Sequence, residues 1–341
     1  MPKNSIKILF LMTLISGVLI SLSANSWLGA WMGLEINLLS FIPMLTSNKN
    51  KFTSEASLKY FLIQAIASAT LLFMILMKSN IFEFPSYVSQ LNKEIIILPL
   101  LMKVASAPFH WWFPSVMEGL SWMNCFLLLS IQKMAPLILI SYIISNNFMS
   151  QMFIWSSAII GALGGFNQIS FRKILAYSSI NHLSWMLTSM ILGLNIWFMY
   201  FSIYVINILM ITKLLSSLNL SFITQMFSSS NFSKSMKIAL LISMLSLGGL
   251  PPFIGFFPKW IMINFMIQNY FIFTTMILIL SSLFTLFYYM RVTYSAFLIS
   301  TSEIIWMILP SPKSLYSPTM SLTMSLTILG VLAGTLFIMM Y

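Results

Sequence analysis

The chain has no aspartate, one cysteine and two histidines, and only 7% of its 341 residues are charged. A soluble globular domain carries about 25% charged residues, so no water-facing surface can be assembled from this sequence. Cys125, alone in an apolar run, permits no internal disulfide, no cysteine-ligated iron–sulfur cluster and no cysteine-rich zinc site. No Gly-rich dinucleotide fingerprint followed by an acid is present: Gly161-Ala162-Leu163-Gly164-Gly165 lies inside an apolar run. There is no phosphate-binding loop, no H-E-x-x-H and no haem-type histidine pair at helical spacing. Nicotinamide and flavin binding therefore have no readable basis here, whereas a quinone pocket has no firm signature to look for. Nor does the start of the chain show a cleavable signal with a small-residue cleavage site.

What is abundant is apolar surface. Hydrophobic residues make up 59% of the chain, with mean hydropathy +0.94. The apolar runs are about twenty residues long and do not alternate with polar residues, which predicts membrane-spanning helices rather than barrel strands. The expected fold is an all-α membrane protein, one transmembrane domain over 1–341, with about eleven spans. They are read at 6–22, 26–45, 57–78, 95–117, 122–145, 150–169, 173–193, 195–217, 237–268, 272–298 and 320–340. The longest gaps, 218–236 and 299–319, are Ser/Asn/Pro-rich loops.

The net charge of +11 and pI of 9.7 would suggest nucleic acid in a soluble protein. In a membrane protein they read as orientation signals, and no nucleic-acid partner is expected. Eleven spans place Lys3, Lys7, Lys49, Lys51, Lys59, Arg172, Lys173, Lys213, Lys234, Lys237, Arg291 and Lys313 on the face of the N-terminus, against Lys78 and Lys93 on the other. Positive charge marks the inner face, so the N-terminus is expected inside and the C-terminus outside.

Two segments share a pattern. Span four contains Pro108-Phe109-His110-Trp111-Trp112-Phe113-Pro114 and span nine contains Pro252-Phe253-Ile254-Gly255-Phe256-Phe257-Pro258, both P-F-x-x-x-F-P. Prolines deep in an apolar run break intrahelical hydrogen bonds, and broken helices at membrane depth survive where protein or a watery cavity satisfies the released groups. Each motif falls in the fourth helix of a five-helix set, 6–145 and 150–298. Because five is odd, the second set enters from the opposite face, giving an inverted repeat of transporter type, with span 320–340 as a further C-terminal helix.

Four charges lie deep within spans, in the middle or at a break: Glu35 in the second, Lys103 in the fourth before the proline break, Lys133 in the middle of the fifth, and Lys259 just after the break in the ninth. Each central charge costs about 2.5–3.5 kcal/mol on insertion scales, so intramembrane charges point to function. The residue types suit proton transfer. Desolvation disfavours a charged amine and a nearby carboxylate restores it, so a lysine whose partner approaches or departs takes up and releases protons. Moving a proton against 100 mV takes about 2.3 kcal/mol, the scale of one such interaction. His182, central in span seven, occupies roughly the place of Glu35 in the second repeat and is a candidate relay; the alternative is a histidine hydrogen-bonded within the bundle. His110 is expected in the wall of the broken-helix cavity.

The stretches Trp31 to Leu45 (WMGLEINLLSFIPML), Ser54 to Ser68, Lys103 to Pro114 (KVASAPFHWWFP), Gln132 to Pro136, Gly164 to Met186 and Ser246 to Trp260 (SLGGLPPFIGFFPKW) together resemble the chain 2 family of mitochondrial NADH–ubiquinone oxidoreductase, respiratory complex I. The likeness runs in order from about residue 25 to 300, and the last forty residues carry little of it. It implies an antiporter-like membrane-arm subunit in the mitochondrial inner membrane, with the N-terminus in the matrix and the C-terminus in the intermembrane space. It also implies a carboxylate–lysine pair at Glu35 and Lys103, a central lysine at Lys133 and an exit-side lysine at Lys259. The implied partners are other membrane-arm subunits and inner-membrane phospholipids in a hetero-oligomer. NADH, FMN, iron–sulfur clusters and ubiquinone are expected on other subunits, with no cofactor or metal on this chain. Two other readings remain open: a stand-alone cation/proton antiporter and a non-pumping scaffold subunit.

Overall fold

The computed structural model describes residues 2–46, 50–80, 86–228 and 234–299. The predicted helix at 320–340, and Lys49 and Lys313, lie outside the described residues. The described chain is helical, with no strand among these residues and one isolated bridge, Ser170 to Phe222. Among the described residues, six helices have the length and apolarity to cross a membrane.

The chain divides into two compact units between Ser157 and Ala158. The first holds α1 (Pro2–Ser23), α2 (Trp27–Leu45), α3 (Lys51–Asn80), α4 (Ser86–Val104), α5 (Trp112–Gly119), α6 (Trp122–Leu129) and α7 (Ile131–Ser141). Ser26 caps α2 by accepting from the Gly29 N–H at 3.2 Å. Glycines bring α1 and α2 into backbone contact: a Cβ on Gly33 would lie 2.5 Å from the Ser21 nitrogen, and one on Gly17 2.9 Å from that of Asn37. Small residues serve this purpose where lipid, not water, surrounds the helices.

α8 (Phe148–Gly164) leads into the second unit, with α9 (Phe171–Leu192), α10 (Leu194–Ser217), the single turn α11 (Gln225–Ser228), α12 (Lys234–Gly248), α13 (Phe256–Gln268) and α14 (Ile272–Ile299). Gly193 alone joins α9 to α10, so the two run antiparallel; at their other ends the Phe171 N–H donates to the Ser221 carbonyl at 3.0 Å. Gly161 allows α8 to touch α9 as Gly17 does for α1 and α2: its Cβ would stand 2.5 Å from the Asn181 nitrogen.

The polarity is inside-out relative to a soluble protein. Leu19, Leu39, Leu62, Phe198 and Phe273 are among the exposed residues, whereas α9, the most enclosed helix, buries Ser178, Ser179, Asn181, His182, Ser184, Thr188 and Ser189. Many buried hydroxyls donate to a carbonyl three or four residues earlier, as Ser189 does to Met186 at 2.6 Å and Ser179 to Ala176 at 2.7 Å. Such bonds satisfy polar side chains locally and let them sit in apolar surroundings.

Three of the predicted spans are interrupted: two at the expected proline breaks, and the fifth, which reads as continuous in the sequence. The fourth ends at Val104 and resumes at Trp112, and the ninth ends at Gly248 and resumes at Phe256, both at the proline motifs. The fifth breaks at Ser130, with neither proline nor glycine at that position. The Ser130 hydroxyl and N–H both bond the Phe126 carbonyl, closing α6, and the Lys133 N–H bonds Ser130 in a tightened turn that opens α7.

Candidate functional site

In the first unit the site begins where α4 stops. Ala105 turns left-handed (φ 66°), its N–H bonds the Met102 carbonyl at 3.3 Å, and the Ser106 N–H bonds the Leu101 carbonyl at 3.1 Å. This is a Schellman termination, which pairs two of the last carbonyls of the helix. The Lys103 carbonyl accepts instead from the Gln64 amide of α3 at 3.3 Å. Lys103 is buried in the last turn of α4, where the negative end of the helix dipole favours a cation. Glu35 on α2 is half-buried and acts electrostatically on Lys103.

The α4 break and α7 together enclose a cavity. Lys103 and Lys133 both line it, with Asn37 of α2, Tyr60 and Gln64 of α3, and Gln132 of α7 supplying its polar wall. The space open to water centres is about 20 Å³, above the roughly 10–15 Å³ that one water requires. Its polar wall is organised: the Tyr60 hydroxyl donates to Gln132 Oε1 at 3.2 Å, and Gln132 Nε2 donates to Asn37 Oδ1 at 2.9 Å. Lys133, expected mid-helix, lies in the first turn of α7 and is 2% exposed. Its Nζ stands 4.9 Å from the centre of the Phe113 ring, a cation–π contact supplied by the proline motif itself.

His110 does not join this lining; its Nδ1 faces the Pro108 carbonyl at 3.2 Å, and the motif contributes Trp112 and Phe113 to the cavity instead. Sequence reasoning missed Tyr60, Gln64, Gln132 and Asn37. The available signals were the polar residues beside charges already singled out, Gln132 next to Lys133 and Asn37 two after Glu35, and the i, i+4 pair Tyr60 and Gln64.

In the second unit, α12 ends as α4 does. Gly249 is left-handed (φ 82°), its N–H bonds the Ser246 carbonyl at 3.1 Å, and the Leu250 N–H bonds Leu245 at 3.4 Å. Lys259, buried in the first turn of α13, reaches back across the break and donates from Nζ to the Gly248 carbonyl at 2.9 Å. His182 is buried in α9, with Nδ1 2.9 Å from the Tyr200 hydroxyl and its ring 5.2 Å from that of Tyr204. His182 and Lys259 thus have separate partners, whereas Lys103 and Lys133 share one cavity.

Two helices broken by the same termination, each with a lysine at the carbonyl end of the half-helix, are the kind of discontinuous helix found in the transporter class of membrane proteins. The fold agrees. The chain superposes on a chain of respiratory complex I from Thermus thermophilus with a TM-score of 0.83, at 22% identity, over 96% of this chain and 78% of that one. On a chain of the Mrp complex from Dietzia sp. DQ12-45-1b the TM-score is 0.70, at 17% identity, over 84% and 60%. The sequence profile described as NADH:quinone oxidoreductase/Mrp antiporter, TM matches residues 24–285, and the chain belongs to that family. It is 46% identical over 339 residues to NADH-ubiquinone oxidoreductase chain 2 of Aedes aegypti, covering 98% of each chain. To the protein of the same name from Anopheles gambiae it is 45% identical over 303 residues, covering 88% of each. It is accordingly a multi-pass, helical, antiporter-like membrane protein.

Proposed function

We propose that this chain is a core membrane-arm subunit of a proton-pumping NADH:ubiquinone oxidoreductase in the mitochondrial inner membrane. On this reading it carries protons from the matrix to the intermembrane space, while NADH oxidation, flavin, iron–sulfur and quinone chemistry take place on other subunits of the assembly. The observation that carries the proposal is the cavity that Lys103 and Lys133 both line, which has room for a water, with Glu35 within electrostatic range of Lys103. A change in the Glu35–Lys103 interaction, driven from neighbouring subunits, discharges one amine and lets the proton move through water to the next. The relay continues through Lys259, with His182 as a second-half relay group, and ends on the outer face.

Lys133→Ala tests this. Expected is an assembled complex that still reduces quinone when uncoupled but moves fewer protons per electron. An assembled complex with an unchanged proton-to-electron ratio refutes the relay and leaves a scaffold. The family description, which names an Mrp antiporter beside the oxidoreductase, supports one competing reading, a stand-alone cation/proton antiporter. The purified chain in liposomes distinguishes it: sodium- or potassium-driven proton movement without other subunits supports the antiporter, and its absence supports the proposal.

A further inference from the structure

The second unit contains a buried hydroxyl cluster that the lysine relay does not use. Tyr200 and Tyr204 of α10, Tyr288 and Tyr289 of α14, and Ser178 and Ser179 of α9 are all buried. The Tyr200 hydroxyl meets His182 Nδ1 at 2.9 Å. Tyr204 interacts with Ser179, and Tyr289 lies within electrostatic range of both Tyr200 and Tyr204. Tyr288 and Tyr289 both face Ser178, with their rings 4.8 Å apart, yet neither hydroxyl closes a hydrogen bond of good geometry. Two fully buried hydroxyls left in that state are costly as inert packing.

The cluster has a direction. Along α9, Ser178 lies about 6 Å nearer the N-terminal end of the helix than His182, at 1.5 Å per residue. Beyond it the Tyr288 ring packs on Gly165, where a Cβ would come within 2.8 Å of the ring. One turn further along α14, Arg291 donates to the carbonyls of Phe166 and Gln168, each at 2.6 Å, and ties down the α8–α9 turn, where Phe166 and Asn167 are exposed. The hydroxyls therefore descend from His182 to the level of Ser178, and the Tyr288 ring continues from there to Gly165 beside the exposed turn.

The cluster also has a counterpart. The two proline motifs, Pro108 and Pro252, lie 144 residues apart, and so do the close-packing pairs Gly17/Gly161 and Asn37/Asn181. At that same separation Tyr204 stands at the register of Tyr60, a wall residue of the lysine cavity, and Ser179 at that of Glu35. His182 lies one turn beyond. Where the first unit has a carboxylate and a hydroxyl, the second has hydroxyls only.

We propose that Tyr288, Tyr289, Ser178, Ser179, Tyr204 and Tyr200 form a hydroxyl chain that carries protons between the α8–α9 turn and His182, giving the second unit its own access to the face where α9 begins. Each hydroxyl accepts a proton on a lone pair as it passes its own onward, Ser178 and Ser179 turning from the Leu175 and Ala176 carbonyls to do so, so no tyrosinate and no net charge remain in the chain. The proposal rests on the proton-translocating reading above.

The test is Tyr288→Phe/Tyr289→Phe in the assembled complex, which deletes two oxygens and keeps both rings, with Lys133→Ala in parallel. Expected is a fall in protons moved per electron with uncoupled quinone reduction retained. The oxidised-minus-reduced infrared difference spectrum should also lose a tyrosine C–O–H band, a signal that a purely structural hydroxyl does not give. A double variant that assembles with the wild-type ratio and an unchanged difference spectrum overturns the hydroxyl chain. If Lys133→Ala has lost pumping in the same experiment, the translocating reading survives; if Lys133→Ala also pumps fully, that reading falls as well. Should the double variant not assemble, the single Tyr289→Phe and Ser178→Ala variants are read by the same two criteria, with the same results supporting or overturning the proposal.

Discussion

Gly249 separates two contributions to the second break, and Gly249→Ala measures them. At φ 82° an alanine costs about 1–2 kcal/mol relative to glycine. The added Cβ would also lie 3.0 Å from both Cδ and Nζ of Lys259. Those atoms end a flexible side chain, so they give way, but in doing so they leave the Gly248 carbonyl that the ammonium bonds at 2.9 Å. A hydrogen bond from a charged group contributes about 1.5–3 kcal/mol. The expected loss is therefore roughly 2.5–5 kcal/mol, read as earlier thermal inactivation of the assembled complex. Pumping should fall too, because Lys259 is displaced. A double-mutant cycle with Lys259→Met isolates the shared part: once Lys259 is removed, Gly249→Ala should cost only the backbone component, a coupling expected of groups in contact. Ala105 supplies the comparison, since it holds the same motif position at φ 66° and is fully buried. Ala105→Gly relieves about 1–2 kcal/mol of backbone cost and forfeits about 0.8 kcal/mol of methyl burial, so it should be close to neutral. Additive effects of Gly249→Ala and Lys259→Met would refute the argument that Gly249 exists to admit the lysine.

Two further substitutions probe the first unit's cavity and the second unit's packing. Gln132→Leu leaves Asn37 and Tyr60 without the amide that joins them, costing about 1–3 kcal/mol for a stranded buried polar group. Proton transfer should slow while the complex still assembles; unchanged pumping and unchanged thermal inactivation would remove the amide from the site. Gly161→Ala drives a Cβ against the Asn181 backbone nitrogen, which cannot rotate aside, so overpacking of about 1–3 kcal/mol is expected. Its readout is the amount of assembled complex, and full assembly at wild-type temperature stability would show that α8 and α9 can separate without loss.

The helices and their two large breaks were legible in the sequence because both signals are local. Long apolar runs have one solution in lipid, and Pro108 and Pro252 announce the interruptions. The break at Ser130 was not legible, because a serine that closes one helix and opens the next looks like any serine inside an apolar run. The charged members of the site, Lys103, Lys133 and Lys259, stood out by their cost at membrane depth. Their neutral partners did not: Tyr60 meets Gln132 across 72 residues, a pairing that only tertiary packing creates. His110 was misplaced for a related reason. The chain leaves α4 so that Trp112 and Phe113 face the cavity, and which way a broken segment turns is decided by the packing around it, not by its own residues.

The scarcity with which the sequence opens, six glutamates and no aspartate, acquires a reason at the two breaks. A buried ammonium paired permanently with a carboxylate is well held, and is for that reason a poor proton carrier. A helix end offers a weaker counterpart: its unpaired carbonyls act as about half a negative charge. Breaking α4 and α12 in mid-span creates such ends where the chain has few carboxylates to offer, one beside Lys103 and one directly bonded by Lys259. The Schellman turns at Ala105 and Gly249 satisfy some of the released carbonyls, while those of Lys103 and Gly248 are taken by Gln64 and by the Lys259 ammonium itself. A partial, fixed charge lowers the cost of holding the amine protonated without locking the proton there. In the proposed relay Glu35 supplies a full charge that acts on Lys103, and a change in that interaction shifts the first amine between its two protonation states.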